Sequence, residues 1–215
     1  EKQLFASTTT IYFVMSAIMI YNLKELSKKN YSDYLILILL NIILTLLKVE
    51  GSILLISLIF SSLIIFFKNK KIFKNLILIS ILSFIPVLIW NIYCINNSLN
   101  GSETNSSFSI ENLSTRIFSL EYYIIIFKNL LLNEKFVISL IIFIISMYSF
   151  KNKKLLLLIF STCLIYIIFL FIIYLSTSLD LEWHLNSANR IIKPLALFLS
   201  ILSIYNVLNK NKKIY

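Results

Sequence analysis

Asp180-Leu181-Glu182-Trp183-His184-Leu185-Asn186-Ser187-Ala188-Asn189-Arg190 places two acids, an indole, the chain's single imidazole and a guanidinium between two long apolar runs. Ionisable groups at a membrane boundary cost free energy to keep, so a dense group of them marks a site rather than a linker. Arg190 and Lys193 fall one turn apart at the start of the last apolar run. Unpaired backbone N–H groups and the positive end of the helix dipole lie there too. Such a place binds an anion. At a membrane surface the expected anion is a phosphate, held in two places by arginine and as a point charge by lysine. Asp180 and Glu182 read as groups that cap or orient these cations. Trp183 reads either as a ligand contact or as an interfacial belt aromatic, and Pro194 as a first-turn helix residue.

A second charged element, Lys48-Val49-Glu50-Gly51, separates two short apolar runs. Asn41, Thr45 and Lys48 follow the spacing i, i+4, i+7, which stacks them on one helical face that rises to this tip. Asn41 and Thr45 are expected to hydrogen-bond a neighbouring helix. Lys48 and Glu50 are read as part of a site, the alternative being a lysine that snorkels to the interface beside its acid. The candidate substrate-binding set is therefore Lys48, Glu50, Asp180, Trp183, His184, Arg190 and Lys193. A lone histidine without an acid at fixed spacing is no metal-ligand pattern, and Cys94 and Cys163 form no CxxC. No cofactor is evident, and dependence on a divalent cation stays open.

The elements that must position these residues follow from composition. The 215-residue chain is 59% hydrophobic, with two glycines and two prolines, which predicts an all-α polytopic transmembrane bundle. A span needs about 20 apolar residues. Seven runs approach that length, over 4–23, 34–47, 52–67, 75–93, 136–150, 155–176 and 191–208. Thirteen lysines, Lys24, Lys28, Lys29, Lys68, Lys70, Lys71, Lys74, Lys151, Lys153, Lys154, Lys210, Lys212 and Lys213, then share one side with only Glu25 and Asp33. That side is cytoplasmic and holds the C-terminus. The net charge of +10 is thus a topology signal and a contact for anionic lipid, not a nucleic-acid footprint. The outer side carries a long connection over 94–135. Its second half repeats apolar residues at spacings of three and four from Ile110 to Leu131, which predicts an amphipathic helix lying on the outer surface. Four Asn-x-Ser sequons, at Asn96, Asn100, Asn105 and Asn112, read as chance in an Asn- and Ser-rich stretch. The chain begins at Glu1 and enters an apolar run almost at once, which reads as the C-terminal part of a longer protein whose residues 1–215 form one transmembrane domain. Heavy use of Ile, Lys and Asn points to an A/T-rich genome and a bacterial cytoplasmic membrane.

Lys48-Val49-Glu50-Gly51 between two spans resembles the Lys-x-Glu-Gly element of bacterial GT-C superfamily glycosyltransferases, the group that includes protein O-mannosyltransferases and aminoarabinose transferases. Asp180-Leu181-x-Trp183-His184-Leu185, followed by Ser187 and Arg190, is similar to an Asp-Leu-x-Trp-His-Leu-x-x-Ser-x-x-Arg stretch near the end of many such proteins. The resemblance implies transfer of a sugar from a polyprenyl-phosphate donor to an acceptor at the outer face. It implies that Lys48, His184 and Arg190 neutralise or orient the lipid phosphate, with Glu50 positioning Lys48 or an acceptor hydroxyl. It also implies a catalytic acid upstream of residue 1, without which this chain alone is inactive. Two other classes remain. A transporter or flippase expects broken, charge-bearing helices near mid-membrane, whereas these runs are almost free of charge and have Pro86 as their main breaker. A membrane scaffold expects both charged clusters to tolerate alanine.

Overall fold

The computed structural model describes residues 2–23, 31–47, 49–97, 109–148 and 153–210, with side chains of the two end helices over 8–23 and 153–208. Lys48, the connection over 98–108 with Asn100 and Asn105, and Lys24, Lys28, Lys29, Lys151, Lys212 and Lys213 lie outside the described residues. The described residues form helices: α1 (Lys2–Tyr21), α2 (Tyr31–Leu47), α3 (Val49–Phe66), α4 (Lys70–Asn96), α5 (Ile110–Arg116), α6 (Leu120–Leu131), α7 (Glu134–Met147), α8 (Lys153–Ser176), α9 (Leu181–Leu185) and α10 (Ala188–Lys210). Many of these segments are rich in isoleucine, a residue that favours strands in water. In hydrocarbon, however, each backbone N–H and C=O must be satisfied within its own segment, and that requirement selects helix.

Each of the seven apolar runs is helical over most of its described residues. Four stretches are long and apolar enough to cross a membrane: α3, α4, α8 and the stretch Leu181–Leu208 that joins α9 to α10. A fifth crossing arises if α6 and α7, bent by 71° at their junction, are counted as one span. The parts Thr8–Tyr21 of α1 and Tyr31–Leu47 of α2 are shorter apolar helices.

The bundle is held by α10 against α7 and α1, and by α8 against α3. Phe13 of α1 and Phe198 of α10 meet at 4.6 Å between ring centroids. In α3 the buried hydroxyls of Ser57, Ser61 and Ser62 donate to the carbonyls four residues earlier, at 2.8, 2.7 and 2.6 Å. Satisfied within their own turn, these small side chains let the neighbouring helices approach closely. Ser139 of α7 and Ser200 of α10 add a hydrogen bond between helices at 3.0 Å. Both cysteines are free.

Three expectations change. The stripe from Ile110 to Leu131 is two helices rather than one. α5 stops at Arg116 and α6 starts at Leu120, after Ser119 adopts an extended backbone with φ −100° and ψ 112°. Pro194 sits in the second turn of α10, because that helix already starts at Ala188. A proline there has no N–H to give to the carbonyl of Arg190, four residues earlier. The Tyr166 hydroxyl donates to the adjacent carbonyl, that of Ile191, at 3.0 Å. Lastly, the side chains of Asn41 and Thr45 make no hydrogen bond to a neighbouring helix among the described residues, although the Thr45 carbonyl accepts from the Ser52 hydroxyl of α3 at 3.4 Å. The Thr45 hydroxyl donates to Ile42 O of its own helix at 2.9 Å, and both amide atoms of Asn41, which is 0% exposed, lack a partner among the described residues.

An orphaned buried amide costs about 1–3 kcal/mol, and replacing it by an apolar group of similar size removes that cost. Asn41→Leu is therefore expected to leave stability unchanged or raise it by about 1 kcal/mol in a denaturant titration of the micelle-bound protein. A loss of that size instead would restore the bridging role.

Candidate functional site

In the α2–α3 hairpin, α2 ends at Leu47 and α3 begins at Val49. This places Glu50 in the first turn of α3. The second charged element is built by the exit of α8. Asp180 accepts from the Trp183 N–H at 2.9 Å and so caps the short helix α9. With Asn186 and Ser187 between the two helices, Ala188 begins α10, which carries Arg190 and Lys193 in its first two turns.

These two elements meet. Arg190 Nη2 lies 3.2 Å from Glu50 Oε1, with the two side chains 38% and 20% exposed. The contact joins positions 140 residues apart. It sets α3 and α10 starting at the same end of the bundle, where α8 finishes. Lys68, Lys70, Lys71, Lys74 and Lys153 flank the opposite ends of α3 and α8.

His184 is held from two sides. Its Nδ1 is 2.9 Å from Thr177 Oγ1, and its ring centroid lies 4.9 Å from that of Tyr174, tilted by 56°. The Tyr174 hydroxyl is 3.3 Å from Ser187 Oγ, which in turn donates to His184 O at 2.8 Å. Lys193 follows Arg190 by one turn and is half-buried. Trp183 is 63% exposed. Of the seven candidate site residues, Glu50, His184, Arg190 and Lys193 are thus gathered at one end. Asp180 serves the backbone of α9, Trp183 faces outward from it, and Lys48 lies outside the described residues.

No family model, curated protein or solved structure matches the chain.

Other residues of the site carry no charge cluster to announce them. Ser109 N–H donates to Ser176 O at 2.6 Å. Asn112 Nδ2 and Arg116 Nη1 both donate to Thr177 O, at 2.8 and 3.0 Å. The Asn112 amide nitrogen is thus engaged within the fold. The Arg116 guanidinium carbon also sits 5.4 Å from the centre of the Tyr122 ring, so this residue ties α5, α6 and the end of α8 together. At the α6–α7 elbow Asn133 accepts from Lys135 N–H at 3.1 Å and caps α7. Its amide also donates to Asn189, next to Arg190. One signal was available in the sequence. Arg116 and Arg190 are the chain's only two arginines, every other cation being a lysine or the one histidine, and both are placed at this end with named partners.

Chemically, the gathered groups offer a guanidinium, an ammonium and an imidazole beside one carboxylate. Arg190 keeps donors beyond the one it gives to Glu50, and its Nε is buried without a partner among the described residues. Such a set suits an anion with several oxygens rather than a cation. Among the described residues no three His, Cys, Asp or Glu side chains group as metal ligands would.

Proposed function

We propose that this chain is part of a GT-C-like membrane glycosyltransferase that moves a sugar from a polyprenyl-phosphate donor to an acceptor at the outer face of a bacterial cytoplasmic membrane. The observation that carries the reading is the Glu50–Arg190 pair, which joins the two sequence elements bearing the resemblance. In this reading seven helices cross the membrane, the C-terminus is cytoplasmic, and α6, turned 71° from α7, runs along the outer surface. Arg190, Lys193 and His184, with Lys48, hold the donor phosphate and stabilise the charge that builds on it as the sugar leaves. Glu50 orients Arg190, a change from the role towards Lys48 that the resemblance implies.

The test is transfer of labelled sugar from a polyprenyl-phosphate donor in membranes that contain the full-length gene product. Arg190→Ala and Lys48→Ala are each expected to lower transfer about 100-fold, as loss of one preorganised charge-stabilising donor does, with normal insertion. Undiminished transfer in both variants would return the two clusters to topology and packing.

A further inference from the structure

Thr177 carries two separate loads. Its carbonyl, at the exit of α8, takes both the Asn112 amide and the Arg116 guanidinium. A cation at a helix C-terminus also opposes the negative end of the dipole, so Arg116 is well placed to fix this backbone. The Thr177 hydroxyl accepts from Leu179 N–H at 3.2 Å and stands 2.9 Å from His184 Nδ1. A hydroxyl has one hydrogen and two lone pairs. With one lone pair taken by Leu179, and Thr177 0% exposed, Nδ1 is the one acceptor for its hydrogen among the described residues, and this fixes the direction on which the proposal below is built. An imidazole that accepts at Nδ1 carries its proton on Nε2 when neutral. His184 Nε2 has no partner among the described residues.

We propose that Arg116 is a positioning residue for His184. By holding the Thr177 carbonyl it aims the Thr177 hydroxyl at Nδ1, and so presents Nε2–H as a neutral donor to an anionic oxygen of the ligand. The chain of contacts runs from Tyr122 through Arg116 and Thr177 to His184, and it links α5 and α6 to the anion site. The role of Arg116 stands on these contacts alone, whereas the identity of the ligand rests on the phosphate reading above.

His184 is the only histidine of the sequence, so its nitrogen resonances are unambiguous in ¹⁵N-histidine-labelled protein in phosphatidylcholine nanodiscs. We expect the wild type to show one imidazole species with Nδ1 as the unprotonated, hydrogen-bonded nitrogen. Thr177→Val and Arg116→Met should both move the Nδ1 resonance towards that of free histidine, at unchanged helix content. Arg116→Lys, which keeps a cation able to reach the carbonyl, should hold it near the wild-type position. Adding decaprenyl phosphate to the discs should shift Nε2–H in wild type and not in Arg116→Met, while inorganic phosphate in the buffer reports a free anion instead of a lipid headgroup. An Nδ1 resonance that stays in place in Arg116→Met, or a wild-type Nδ1 that carries the proton, overturns the proposal. An Nδ1 that behaves as expected while neither phosphate shifts Nε2–H overturns the donor reading and leaves the positioning role of Arg116 standing.

Discussion

Gly51→Ala is expected to lower the stability of the micelle-bound protein by about 1–3 kcal/mol, the range for forcing extra atoms into a packed interior. The propensity of the residue argues the other way, since glycine inside a helix is less favourable than alanine by about 1 kcal/mol. Sterics decide. With a single residue between α2 and α3, the first turn of α3 lies against the last turns of α2. A Cβ on Gly51 would fall far inside van der Waals contact with the Leu44 carbonyl oxygen. The obstacle is backbone, so no side-chain rotation relieves it, and Leu44 is itself buried in the core. The hairpin must open instead, and Glu50 moves with it. A denaturant titration should find Gly51→Ala less stable than wild type and Gly51→Val less stable again. Equal stability of Gly51→Ala would mean that the two turns do not approach this closely.

That glycine shows what was legible in the sequence. Lys48-Val49-Glu50-Gly51 stood out as charge between apolar runs, but the reason for its glycine is the carbonyl of Leu44, seven positions away, which leaves no mark in composition. The seven apolar runs were legible as helices because lipid leaves a long apolar segment almost no alternative. The break between α5 and α6 was hidden because Leu113, Ile117, Leu120 and Ile124 keep helical spacing straight across it. Only the extended backbone at Ser119 interrupts the path. Asp180 was expected to cap or orient the cations, whereas it caps the backbone of α9, as an acid at a helix start often does. The hold of Arg116 on Thr177 was not legible, since its acceptor is a main-chain oxygen, identical in every residue. Asn41 misled for a related reason: a buried amide in a span usually finds a neighbour, and this one has none among the described residues.

Glu50 and Arg190 are expected to show coupling of about 1–2 kcal/mol in a double-mutant cycle of Glu50→Gln, Arg190→Met and the pair. Fully exposed pairs yield about 0–1 kcal/mol, and breaking a buried pair costs about 3–5 kcal/mol. With side chains 38% and 20% exposed, this pair lies between those limits. The two single changes should not be equal. Loss of Arg190 strands the less exposed partner, a short carboxylate fixed in the first turn of α3, where little freedom remains to reach water. Loss of Glu50 strands a long guanidinium whose stem can carry the charge outward. Arg190→Met should therefore cost more than Glu50→Gln, and the double variant should cost less than the two single losses added together, because no unpaired charge then remains. Additivity within about 0.5 kcal/mol, the behaviour of independent sites, would mean that the two ends of the chain are joined by packing alone. In that case the anion site would have to be rebuilt without the carboxylate that orients its arginine.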